Sequence, residues 1–109
     1  MLDESTIQRA AQRLAAAASS PSRVILFGSY ARGTADAGSD LDLMVIEQSL
    51  PDPGGEYLVL MHALGRVASG VGVDLLIYPR GEFERRSQVP GTVLYRARHE
   101  GRVLHDSLA

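Results

Sequence analysis

One stretch constrains this chain more than any other: R-V-I-L-F-G-S-Y-A-R-G-T-A-D-A-G-S-D-L-D-L-M-V-I, residues 23–46. Residues 24–27 are a continuous apolar run rich in branched side chains, as expected of a strand buried on both faces. Gly28 ends that strand, residues 29–32 begin a turn of helix that Gly33 stops, and residues 34–39 have the Gly, Asp and Ser content of a loop. Residues 41–47 then alternate. Asp40, Asp42, Met44 and Ile46 fall on one side of a second strand, and Leu41, Leu43 and Val45 on the other. The two aspartates therefore point the same way, about 7 Å apart at their α-carbons.

Asp40 and Asp42 repel each other unless a cation or hydrogen-bond donors neutralise them. A divalent ion is the economical solution, because Mg²⁺ is usually held by one or two carboxylates, completed by water and substrate phosphates. A D-x-D pair alone is equally readable as a turn residue and a solvent-facing strand position. Asp74 adds weight. It lies in G-V-G-V-D-L-L-I-Y, a run whose apolar character suggests burial, where an unpaired charge would be costly. If this strand lies beside the first aspartate pair, three carboxylates converge; on an edge strand, Asp74 would instead be solvated. Gly28 and Ser29, where a strand runs into a helix start, offer free backbone N–H groups and a hydroxyl, the makings of an anion site. Glycine there lets a phosphate approach the backbone closely.

The remaining segments read as scaffold. Residues 3–19 form a helix with Ile7, Ala11, Leu14 and Ala18 on its apolar stripe. Residues 48–55 are a surface loop, residues 56–69 a second helix with Leu60, Leu64, Val67 and Ala68 inward, and residues 73–78 a strand closed by Pro79. A further helix start follows at residues 81–89, then a short helix at 92–100 stopped by Gly101, and a short edge strand at 103–105. The alternation predicts an α/β fold, helices flanking a small mixed sheet. The whole chain, residues 1–109, is expected to be a single domain.

Composition excludes several classes. With no cysteine there are no disulfides or thiolate metal sites. No apolar run is long enough to span a membrane, and the acidic start lacks the basic region of a secretory signal, so a cytoplasmic protein is expected. All eleven basic residues are arginine, and with abundant Ala and Gly this suggests a GC-rich bacterial genome. The net charge of -2 argues against stable nucleic-acid binding, which draws its affinity from basic faces. Arginines do crowd residues 80–102, but Glu82, Glu84 and Glu100 are interleaved with them. The three histidines do not cluster, and the four tyrosines read as packing residues, with no basis in sequence for choosing one as a modification site.

G-S-Y-A-R-G, then S-D-L-D-L, then V-D-L-L in a later strand, resembles the nucleotidyltransferase superfamily typified by DNA polymerase β. Ten residues separate Ser29 from Asp40, as in the family's pattern. The length resembles that of the minimal, MNT-type branch, whose members pair as antitoxins with HEPN-domain toxins. The resemblance implies that Asp40, Asp42 and Asp74 are catalytic metal ligands for Mg²⁺ or Mn²⁺, with Asp74 also taking the proton of the attacking hydroxyl. It implies that Gly28 and Ser29 contact the phosphates of an NTP. Arg32, also in the motif, stands for either a phosphate contact or a salt bridge to Asp36 or another structural carboxylate. The activity implied is transfer of NMP, AMP from ATP, to a hydroxyl such as a tyrosine of the HEPN partner, in a homo- or hetero-oligomer. Two other readings stay open: a module that neutralises its partner by contact alone, and a small-molecule nucleotidyltransferase of the aminoglycoside type.

Overall fold

The computed structural model describes residues 1–108. In chain order its elements are α1 (Glu4–Ala17), β1 (Ser22–Phe27), α2 (Gly28–Arg32), β2 (Leu41–Glu47), α3 (Pro53–Leu64), β3 (Val73–Pro79), α4 (Arg80–Arg86), α5 (Val93–Glu100) and β4 (Arg102–Asp106). The strands form one sheet in the order β3-β2-β1-β4. β1 runs antiparallel to both β2 and β4, whereas β2 and β3 are parallel, joined through α3. This is the mixed α/β arrangement the alternation predicts. Among the described residues no helix is long and apolar enough to cross a membrane.

The two-residue period of the central strands divides the core. Leu41, Leu43 and Val45 of β2 face Ile7, Ala11 and Leu14 of α1 and Leu60 and Leu64 of α3. Met44 and Ile46 face the opposite way, against Phe83 of α4 and Leu94 and Ala97 of α5. The sheet is thus sandwiched between α1 and α3 on one side and α4 and α5 on the other, each of its inner faces excluding water from apolar area worth about 25 cal/mol per Å². Asp3 caps α1 by accepting from Thr6 N–H at 2.8 Å, and Thr92 caps α5 by accepting from Tyr95 N–H at 3.1 Å.

Three expectations need correction. The segment P-G-G, expected in a loop, forms the first turn of α3: Asp52 accepts from Gly55 N–H at 3.2 Å, and Pro53 follows the cap, where its missing N–H costs nothing. The same helix stops at Gly65, with φ +60, so Val67 and Ala68 pack on the core from a loop instead of from a helix face. β3 is an edge strand, and Asp74 is exposed instead of buried. Its apolar neighbours alternate between the two faces of the sheet, which leaves a charge on the open part of one face without desolvating it.

Far from Asp74, at the other end of β2, two carboxyl groups meet in the interior. Glu47 is fully buried and Glu56 nearly so. Ser20 Oγ donates to Glu47 Oε1 at 3.2 Å, while the N–H and hydroxyl of Ser19 donate to Glu56 at 2.9 and 2.6 Å. Among the described residues Glu47 Oε2 has no hydrogen-bond donor. Burial and the neighbouring Glu56 carboxylate push the Glu47 carboxyl up to about 7. Burial works against ionised Glu56, but the Ser19 donors and the acid of Glu47 outweigh it and hold Glu56 below its usual range. Glu47 favours its acid form and Glu56 its carboxylate, and the serine donors tie the end of β2 and the first turn of α3 to the segment after α1.

The sign of the resulting pH dependence follows from proton binding. Between the unfolded glutamate value of 4.5 and about 7, the folded protein holds a proton on Glu47 that the unfolded chain lacks. Stability therefore falls as pH rises across that window and is flat above it, whereas below 4.5 the lowered Glu56 makes stability fall with acid. Thermal unfolding should give its highest Tm near pH 5 and a lower one at pH 8. In Glu47→Gln, whose amide N–H replaces the acid proton, the part of the decline between about pH 6 and pH 8 should largely disappear.

Candidate active site

The register of the sheet builds the site. Phe27 of β1 lies opposite Asp42 of β2, and Asp42 lies opposite Asp74 of β3. Adjacent strands are about 4.8 Å apart, so the Gly28 turn that follows Phe27, the half-buried Asp42 and the exposed Asp74 form a row across one end of the sheet. Asp40, just before β2, is exposed beside them. Its position is fixed by the loop ahead of β3, because Leu41 N–H donates to Gly72 C=O at 2.9 Å.

Two glycines make room for the carboxylates. Gly28 has φ +74, which side chains with a Cβ rarely adopt, and a Cβ there would collide with the carboxylate of Asp42. A Cβ on Gly72 would come within 2.6 Å of Asp40 Oδ1. The sequence reading assigns Gly28 to phosphate approach. Its position shows a second requirement, the space taken by Asp42. Gly72 carries no motif of its own and escapes sequence reasoning.

The crowding has an electrostatic signature. Burial first, then the hydrogen-bonding contact with Asp74 and the charges of Asp74 and Asp40, push the Asp42 carboxyl up to about 6, and the guanidinium of Arg32 partly counteracts them. Asp42 and Asp74 are the close pair, with Asp40 contributing at longer range. Among the described residues no group of three or more His, Cys, Asp or Glu is placed to hold a metal by itself. The three carboxylates share one end of the sheet without closing a cage.

Opposite the aspartates an open cavity of about 300 Å³ is lined by Gly28, Ser29, Arg32 and Asp42 on one side, and by Val93, Arg96 and Glu100 of α5 on the other, with Phe27 at its base. α2 is a single turn, and its leading N–H groups have no partner within the helix. Of the two alternatives for Arg32, the salt bridge to Asp36 is not formed. Asp36 Oδ1 accepts from Gly38 N–H at 2.9 Å and from the Ser39 hydroxyl at 3.2 Å, closing the loop before β2, while Arg32 turns to the cavity that holds Asp42. Arg96 and Glu100 join this cavity from a distant segment, where the sequence shows only a short helix and interleaved charges. Elsewhere in the C-terminal third, Arg80 pairs with Glu84 at 3.0 Å and Arg86 with Glu82 at 3.7 Å, the interleaved surface that the charge pattern suggests.

Comparison with known proteins agrees with this architecture. The nucleotidyltransferase domain family matches residues 7–105. A stretch of 28 residues is 68% identical to a Methanocaldococcus jannaschii protein named as a candidate protein adenylyltransferase, covering 26% of this chain but only 19% of that relative. Two solved structures share the fold, each with a TM-score of 0.62. One, a candidate nucleotidyltransferase of Sulfolobus solfataricus, is 17% identical, with 94% of this chain and 78% of that one covered. The other, a toxin–antitoxin solved with AMP-PNP, is 24% identical, with 98% and 76% covered. The family match runs from α1 to β4 and takes in all four strands, the aspartate row and the Gly28 turn, so the chain belongs to the nucleotidyltransferase family of transferase enzymes.

Proposed function

We propose that this chain transfers AMP from ATP to a hydroxyl on a partner protein. In this reading residues 1–109 act in the cytoplasm as one minimal nucleotidyltransferase domain, and the partner is a HEPN toxin whose tyrosine is the acceptor. The observation that carries the proposal is Asp42, wedged between the Gly28 turn and Asp74 at the mouth of an arginine-lined cavity. The protein-adenylyltransferase name of the Methanocaldococcus relative, and the AMP-PNP and toxin–antitoxin pairing of the solved neighbour, support the choice of nucleotide and partner.

The donor set fits a hard divalent cation, Mg²⁺ or Mn²⁺. Burial, then the adjoining Asp74 and Asp40 carboxylates, push the Asp42 carboxyl up to about 6, and a doubly charged ion would relieve that repulsion. Their incomplete enclosure suits Mg²⁺, which keeps several waters and takes ligands from substrate phosphates. When bound, the ion would neutralise charge on the phosphates and lower the pKa of the attacking hydroxyl. Asp40, Asp42 and Asp74 would hold it. Gly28 and Ser29 would bind the β- and γ-phosphates, and Arg32 and Arg96 would stabilise the charge on the departing pyrophosphate. Asp74, exposed at the sheet edge, would accept the hydroxyl proton as its oxygen attacks the α-phosphorus in line. The chain's own contribution is then mainly position and field.

One observation favours a second reading, neutralisation by contact alone: the outward face of α3 exposes Leu58 and Val59. The two are separable. Incubating the chain with a helical genomic neighbour, α-labelled ATP and Mg²⁺ should put label on the neighbour's tyrosine, and Asp42→Asn should reduce labelling by about a thousandfold or more. Full inhibition of the neighbour without nucleotide, with no label transferred, would establish contact alone.

Two further outcomes test the site itself. Without metal, Asp42→Asn should raise the Tm by roughly 5 °C, because it removes a carboxyl held at about 6 against an ordinary 3.8. Mg²⁺ should raise the Tm of the parent protein much more than that of the variant, as differential scanning calorimetry can measure. Gly28→Ala should cost stability and abolish transfer together, since the added methyl displaces the Asp42 carboxylate. Retention of full transfer by Gly28→Ala would refute the assignment of that turn.

A further inference from the structure

A second cavity, of about 310 Å³, opens on the other side of the aspartates and runs over the free edge of β3. It shares Phe27, Asp42 and Val93 with the first cavity and adds Asp74, Tyr57 and the apolar side chains of β3. The two differ in charge. The first sets Arg32 and Arg96 beside Asp42 and Glu100; among the described residues the second has no cationic side chain, and its charges are the carboxylates of Asp42 and Asp74. A triphosphate belongs on Coulombic grounds in the first, which leaves the second for the acceptor. By the same reasoning the acceptor is not a nucleic-acid end, whose phosphates would meet Asp74 with nothing to neutralise them. Nor is it a polyol or an amino sugar, whose many polar groups would find few partners against Tyr57, Val73, Leu75 and Leu76.

The apolar surface does not stop at the cavity. Tyr57, 38% exposed, sits at its rim, and the neighbouring α3 residues Leu58 and Val59 are 69% and 49% exposed. α3 is apolar around nearly its whole circumference, the pattern of a helix covered on both sides, yet only its Leu60–Leu64 side is covered by this chain. An occupant reaching Asp74 therefore continues outward over α3, farther than a small molecule would extend. β3 also presents unpaired backbone groups along its outer edge, to which only another polypeptide backbone is complementary.

We propose that the acceptor hydroxyl is carried on an apolar polypeptide segment that enters over the β3 edge, packs on Tyr57 and Leu76, and extends across Leu58. This rests on the nucleotidyl transfer proposed above and adds the route and the reading surface. The acceptor oxygen forms a bond to the α-phosphorus of ATP. The bond from that phosphorus to the bridging oxygen breaks, pyrophosphate leaves with the electron pair, and the hydroxyl proton passes to Asp74.

The test uses the full chain with α-labelled ATP, Mg²⁺ and three probes: the peptide Ser-Val-Leu-Tyr-Leu-Val-Ser, the same peptide with every apolar residue replaced by Glu, and oligoadenylate with a free 3′-hydroxyl. ATP affinity is measured in parallel by calorimetry. The expected result is labelling of the apolar peptide at least about tenfold faster than of the acidic one, with no label on the oligonucleotide. Leu58→Asp, at an exposed position that folding does not depend on, and Leu76→Glu should each slow that transfer about tenfold while ATP affinity stays within about twofold. Equal rates on the two peptides, preference for the oligonucleotide, unchanged transfer in both variants, or label confined to Tyr57 of the chain itself would each overturn the inference. So would ATP binding with no label on any probe. Failure to bind ATP at all would bring down the nucleotidyl-transfer reading as well, which makes the two failures distinguishable.

Discussion

The structure depends on an electrostatic conflict held in place by strand pairing. β2 and β3 run parallel in a register that sets Asp42 directly opposite Asp74, and seven consecutive residue pairs fix that register. Slipping by one residue would relieve the repulsion, but it would also turn Leu43 and Val45 out of the core and Met44 and Ile46 into the wrong one. Both faces of β2 are buried, so the hydrophobic cost of a slip far exceeds the cost of crowding two carboxylates. The core thereby enforces a local arrangement that is unfavourable by itself, and the site acquires a strong field at a fixed point.

β2 carries a carboxyl pair at each end, and the contrast shows what solvent access decides. At Glu47 the surroundings are closed, two serines supply donors, and the conflict is resolved by retaining a proton. At Asp42 the surroundings are an open cleft with no hydroxyl donor on the carboxylate, and a proton is held only near pH 6. The first pair fastens helices to the sheet. The second, in the proposed reading, takes a cation, because little must be displaced to admit one.

Much of this was legible in the sequence, for identifiable reasons. Two-residue alternation around Asp42 and the unbroken apolar run before Gly28 are local signals, and they located β1, β2 and their turn to within two residues. For Asp74 the sequence left two alternatives, a strand beside Asp42 or a solvated edge, and β3 turns out to be both. Its apolar neighbours suggested burial, whereas β3 lies at the edge and exposes it. The start of α3 was missed because P-G-G has loop composition, while the deciding signal, a capping Asp52 followed by proline, is a single position wide. Gly72, Arg96 and Glu100 carry no local pattern at all. They reach the site by tertiary packing, through the Leu41–Gly72 hydrogen bond and the docking of α5.

That docking gives α5 a role beyond covering the sheet. Leu94 and Ala97 bury one side of the helix in the core shared with Met44 and Phe27, which rotates Val93 and Arg96 toward the cleft. Val93 lines both cavities and Arg96 only the cationic one. A single helix turn therefore sets the border between a region suited to phosphates and one suited to apolar groups, with Asp42 at the boundary. In the proposed reading this geometry keeps nucleotide and acceptor on opposite sides of Asp42. Arginines on one side and their absence on the other sort them before they meet.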